Sequence, residues 1–177
     1  DVSADSAEHR LLDTVREFGD AVLGDERAQL HAVHAQHFAT LSRRLFDQML
    51  SPGEAAAVQH RNRAHDDIRA AYMWSRSHGR VDLVADLVAR GAIDVMMHRR
   101  IEVAVWATEA VDHLDLSSLT IADRCCLLQT AACLEINEGR IDRARDLINR
   151  AELLSSELAP EEIPAELVGG SSICFFL

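Results

Sequence analysis

The chain has 177 residues, room for one ordinary domain or a short run of helical hairpins. Its 48% hydrophobic content excludes a disordered chain, and its formal net charge of −11 argues against a duplex binder, whose basic face must displace counterions from phosphates. All of its 18 basic residues are Arg, so a lysine-dependent phosphate-binding loop and a Schiff-base lysine are both excluded.

Ala and Leu dominate and aromatics are only 5%, a composition that favours helix over strand. Residues 9–23 place Leu12, Val15, Phe18 and Val22 on one face of a short amphipathic helix. A second helix is expected over 24–53, with Leu30, Val33, His34, Phe38, Leu41, Leu45 and Met49 on its apolar face and Ser51-Pro52-Gly53 ending it. The third runs from about Glu54 to Ser77, with Val58, Ile68, Ala71, Tyr72 and Trp74 inward. The fourth carries Val81, Val84, Leu87, Val88, Val95 and Met96. Its internal Gly91 predicts a kink or a close helix contact, because interior Gly costs about 1 kcal/mol against Ala. The fifth has Ile101, Ala104, Val105, Thr108 and Val111 and fades at Asp115.

The sixth helix, about Ser118 to Glu138, is apolar over most of its circumference, with Asp123, Thr130 and Asn137 forming a narrow polar strip at seven-residue spacing, and so should be buried. The seventh, from Ile141 to Leu158, is cleanly amphipathic. Beyond Pro160 the signal weakens. Residues 161–168 could start an eighth helix, 169–172 read as a linker, and the apolar end 173–177 should pack on the body or belong to a further element. The first residue is Asp1 rather than Met, so a fragment of something longer is expected.

Two corners look alike, His78-Gly79-Arg80-Val81-Asp82 and Glu138-Gly139-Arg140-Ile141-Asp142, and His98-Arg99 is a weaker third without its Gly. Helix, Gly-Arg corner, helix is a hairpin unit that cannot bury its apolar face alone and therefore stacks. The expected fold is all-α: antiparallel helical hairpins stacked as a degenerate tetratricopeptide-like array. An ordinary helical bundle with Gly at its caps is the alternative.

Several stretches resemble the region that follows the ATPase module of bacterial STAND-type signalling ATPases, including LuxR- and SARP-type transcription regulators. Residues 10–19 (RLLDTVREFG) resemble the end of the family's winged-helix part, and 34–38 (HAQHF) the run after it. Residues 64–74 (AHDDIRAAYMW) resemble the start of its helical repeats through Asp66, Ile68, Arg69, Ala70, Ala71 and Trp74, with Asp67 where Asn is usual. Arg99, Glu102 and Trp106 resemble a G-R-x-x-E-x-x-x-W hairpin with His98 in place of the Gly. The resemblance divides the chain into 1–53 (winged-helix tail and linker helix), 54–160 (hairpins) and 161–177 (a C-terminal segment). It makes Asp66, Asp67, Arg69, Trp74, Arg99, Glu102 and Trp106 the candidate structural and interaction residues. It also implies an ATPase module and an output or sensor module outside this chain.

Chemistry-bearing patterns are sparse. His31, His34 and His37 could offer two ligands to one zinc but no completing carboxylate or thiol, so no metal is assigned. Asp66 or Asp67 is expected to pair with Arg63 or Arg69 or to cap a helix, and Trp74 and Trp106 to anchor the core. Cys125, Cys126 and Cys133 lie on the buried helix. The last two are about 10 Å apart along the axis, too far for a disulfide, so reduced, inert thiols in a cytoplasmic protein are expected.

The functional expectation is a non-catalytic scaffold in a signalling or transcription regulator, with no cofactor, no membrane and no direct nucleic acid. Its partner is a protein, a peptide, an effector or a neighbouring domain. A homodimerisation module is the alternative, and a metal-dependent enzyme built on His31, His34 and His37 a third.

Overall fold

The computed structural model describes residues 26–164 and Leu167. The helix expected over 9–23 and the apolar end 173–177 lie outside the described residues. Those described are helical, with no strand among them and no helix long and apolar enough to cross a membrane.

Helix α1 spans Glu26–Met49 and ends where the Ser51 hydroxyl donates to the Gln48 carbonyl at 2.8 Å and accepts from the Gly53 amide at 3.1 Å. Leu41, Leu45 and Met49 are buried as expected. Leu30 and Val33 are not: Val33 is 60% exposed, because burial on α1 begins only at Ala35. The single helix expected over 54–77 is two, α2 (Glu54–Arg63) and α3 (His65–Ser77). They meet at buried Ala64, whose ψ of 5° leaves the helical region and lets both Arg61 and Ile68 face inward.

The fourth helix is likewise two, α4 (Val81–Val88) and α5 (Ala92–His98). Gly91 sits at the break, and both expectations for it hold. A Cβ there would lie 2.4 Å from Val103 Cγ1 and 3.0 Å from the Val88 carbonyl oxygen. Helix α6 (Ile101–His113) follows, with Val105 on its exposed side rather than inward. Helix α7 (Ile121–Asn137) starts at Thr120, whose hydroxyl accepts from the Asp123 amide at 3.1 Å, a standard N-cap. Helix α8 is Ile141–Ser155. Past Pro160 a 3-10 turn spans Pro160–Glu162, and Leu167, within the stretch 161–168 where a helix was expected to start, is helical and buried.

Contacts fix how the helices run. Between α7 and α8 the numbers move oppositely: Glu135 meets Arg143 near the corner, and the Cys125 thiol meets the Ala151 carbonyl far from it. The pair is antiparallel. In the same way α1 opposes α2 and α3 through His34–Asp67 and Ser42–Arg61. The α4–α5 segment opposes α6 in the contact of Gly91 with Val103 and of Asp94 with Arg100. Other contacts rise together. Arg69 meets Glu102, Tyr72 meets Trp106 and Arg76 meets Glu109, so α3 and α6 are parallel. Arg43 meets Asp86 and Asp47 meets Arg90, so α1 and α4 are parallel too.

The core runs through all of these helices, from Leu45 and Tyr72 to Leu87, Val95 and Leu127. Helix α7 is buried from Cys125 through Glu135, as its all-round apolar sequence requires. The Thr130 hydroxyl within it donates to the Ala89 carbonyl at 2.6 Å and so closes the break between α4 and α5.

Candidate functional site

Charge is concentrated where α2, α5 and the start of α6 meet. Asp94 has no exposed surface and Arg61 only 2%, and Arg61 Nε donates to Asp94 Oδ2 at 2.6 Å. The Arg61 guanidinium lies over the Phe46 ring, 4.5 Å from its centroid, and its Nη1 reaches Ser42 Oγ at 3.4 Å. Burial pulls the Arg61 guanidinium below its ordinary value. Asp94 opposes that shift, and the like charge of Arg100 adds to it. His98 Nδ1 and Arg100 Nε both come within 3.3 Å of Asp94 Oδ1 without hydrogen-bond alignment, so all three are buried atoms without a hydrogen-bond partner. His98 Nε2 also contacts Glu54 Oε1 at 3.2 Å.

Beside this cluster a cleft of about 330 Å³ opens between α3 and α6, with Arg61, His65, Arg99, Arg100 and Glu102 on its charged walls. Ile68, Val103 and Trp106 supply its apolar surface. Glu102 is held by His65 at 3.2 Å and by Arg69 at 3.4 Å. Deeper along the same boundary the buried Trp106 stacks on Tyr72 at 4.6 Å between centroids. The Tyr72 hydroxyl donates to the Trp106 carbonyl at 3.1 Å and to Glu109 at 2.9 Å. Burial, with Glu109 adding to it, holds that phenol well above its ordinary range.

The structure therefore brings Arg69, Arg99, Glu102 and Trp106 to one boundary. It does not bring Asp66, Asp67 or Trp74 there. Asp67 pairs neither with Arg63 nor with Arg69; it reaches across to His34 at 3.2 Å. Asp66 is exposed in the first turn of α3. Trp74 is only partly buried and stacks on His78 at 4.3 Å, on the far part of α3.

The histidine run is dispersed. His31 accepts from Arg27 at 3.4 Å, His34 contacts Asp67, and His37 meets Phe38 edge-on. No group of three or more His, Cys, Asp or Glu able to hold a metal occurs among the described residues. Cys125, Cys126 and Cys133 are buried thiols outside any disulfide, and burial raises the Cys125 thiol above its ordinary value.

Sequence reasoning missed Arg61, Asp94, His98 and Glu135. Glu135 has no exposed surface and is engaged by Arg140 and Arg143. The available signal was the carboxylate in each otherwise apolar run, Asp94 within 92–97 and Glu135 within 131–136. Compared with known proteins, the chain matches no family model, no curated protein and no solved structure.

Proposed function

We propose that this chain is a non-catalytic, tetratricopeptide-like segment of a signalling or transcription regulator, binding an effector or a neighbouring domain at the boundary between its hairpins. The observation that carries the reading is the register of the contacts. Between the parallel helices α3 and α6, Arg69 meets Glu102 at a separation of 33 residues, Tyr72 meets Trp106 at 34 and Arg76 meets Glu109 at 33. Equivalent helices of stacked 34-residue hairpins would meet at that offset. The 43-residue offset between α1 and α4 fits a degenerate array whose first helix is long. The resemblance of 64–74 and of the Arg99–Trp106 stretch to the repeats of STAND-type regulators supports the same reading.

In such a protein, ligand binding works by favouring one of two arrangements of adjacent hairpins. The test begins with the gene: this reading expects a phosphate-binding loop encoded ahead of the chain. Hydrogen exchange on that longer product should then differ at α3 and α6 between its ATP and ADP states. A gene without the loop, or exchange identical in both states, would refute the regulator reading.

A homodimerisation module is the second reading, favoured by Leu153, 72% exposed on α8. Light scattering on the chain and on Leu153→Ser decides it: a monomer in both removes the dimer.

A further inference from the structure

The three corners are one design with one exception. Gly79 and Gly139 adopt left-handed φ values of 63° and 72°, and the third left-handed residue among those described is Arg99, at 57°. Each is followed by Arg, a β-branched residue and an acid: Arg80-Val81-Asp82, Arg140-Ile141-Asp142 and Arg100-Ile101-Glu102. Arg99, not His98, therefore stands in the glycine position. A side chain strains this conformation, and Gly would not.

What the arginine offers in exchange is its charge. Arg80 forks onto Asp82 at 3.0 and 2.6 Å, and Arg140 is taken by Glu135 and Glu138. The Arg99 guanidinium has no ion-pair partner among the described residues, and it lines the cleft between α3 and α6. Arg100 lines the same cleft with its Nε buried and unbonded, and Arg61 is nine-tenths buried at its wall. With Arg69 at the rim, four guanidiniums meet two carboxylates, Asp94 and Glu102. In an acidic chain this is a local excess of positive charge. The like charge that Arg100 imposes on Arg61 is what a bound anion would offset. The opposite wall, Ile68, Val103 and Trp106, is apolar, and the volume suits a small molecule.

We propose that this cleft binds a small organic anion, its carboxylate or phosphate head on Arg99 and Arg100 and its apolar body against Ile68, Val103 and Trp106. This deepens the effector reading above by naming the ligand class. It is tested on this chain alone, so it can fail or hold independently of the ATPase module.

Calorimetric titration of the chain with phenyl phosphate, benzoate and inorganic phosphate is the measurement. At least one aromatic anion should saturate at one site per chain. Inorganic phosphate, which lacks the apolar body, should bind about tenfold more weakly or worse. The tighter of the two aromatic probes identifies the head group. Arg99→Gly should weaken binding by about tenfold or more while its Tm stays at or above that of the wild type. Arg150→Ala, on α8, should leave binding unchanged. Absence of saturable binding by both aromatic anions would overturn the proposal, and so would undiminished binding by Arg99→Gly. Equal losses in Arg150→Ala, or a Tm for Arg99→Gly well below wild type, would overturn it too, by reducing Arg99 to bulk charge or to structure.

Discussion

Replacing Asp94 by Ala removes the counter-charge of a guanidinium that water does not reach. Arg61 is 2% exposed, so no solvent screening softens the loss. Breaking a buried pair by deleting one partner costs about 3–5 kcal/mol. The face of Phe46 and the Ser42 hydroxyl remain as neighbours of Arg61, but neither carries a compensating charge. Set against a typical total stability of about 5–15 kcal/mol, this is a severe change. At about 2–4 °C per kcal/mol for a chain of this size, Tm should fall by about 6–20 °C. Urea unfolding followed by far-UV circular dichroism measures the free energy directly. The double variant Arg61→Met/Asp94→Leu should recover part of the loss, because the Arg61 charge is no longer left to desolvate while Arg100 still loses Asp94. An Asp94→Ala variant within about 1 kcal/mol of wild type would refute the reasoning, since the pair would then have to be hydrated.

Four further outcomes can be measured with the same methods or simpler ones. Gly91→Ala should destabilise by about 1–3 kcal/mol, because its Cβ would sit 2.4 Å from Val103 Cγ1; adding Val103→Ala should return part of that loss. Tyr72→Phe should cost about 1–2 kcal/mol in urea unfolding, because a fully buried hydroxyl loses its bonds to the Trp106 carbonyl and Glu109. In a Cys174→Ser background the thiols of Cys125, Cys126 and Cys133 should react with a disulfide reagent only after unfolding. Because folding raises the Cys125 thiol, the unfolded chain loses that proton first. Stability should therefore fall as pH rises past the ordinary thiol value of 9.0.

Much of the helical layout was legible because it depends on local chemistry. The corners at Gly79 and Gly139 follow from glycine's freedom at positive φ, and the burial of α7 follows from its apolar circumference. The breaks at Ala64 and at Ala89–Gly91 were harder. Neither carries a proline, and the periodicity of apolar residues survives a bend that keeps both flanking faces inward. Leu30 and Val33 show the opposite failure. The apolar stripe of α1 continues past the point where its partner helices begin to cover it, and periodicity cannot say where the partners stop.

The candidate site was legible only in part, for a different reason. Arg99, Glu102, Arg69 and Trp106 were found through a pattern along the chain. Asp94 and Arg61 were not, because their significance lies in a partner 33 residues away. A carboxylate inside an apolar helix reads as a solvent-facing residue until the helix covering it is known. Asp67 shows the same limit: for Asp66 or Asp67 a short-range pair or a cap was expected, and the partner of Asp67 is His34 on another helix.

These polar contacts share a property that bears on how the helices hold their order. Burial of Ala, Leu and Val is nearly indifferent to a shift of one helix along its neighbour, because each turn offers a similar apolar surface. The contacts that distinguish one register from another are directional and few. Arg61–Asp94 fixes α2 against α5, Tyr72–Trp106 and Arg76–Glu109 fix α3 against α6, Thr130–Ala89 fixes α7 against α4, and Glu135–Arg143 fixes α7 against α8. A one-turn slip would strand a buried charge or hydroxyl at several of these boundaries, at a cost no apolar contact can offset. The apolar residues thus supply the cohesion and the buried polar ones the alignment. The cleft inherits its geometry from that alignment, because Arg61 and Arg100, held by the same carboxylate, are two of its walls.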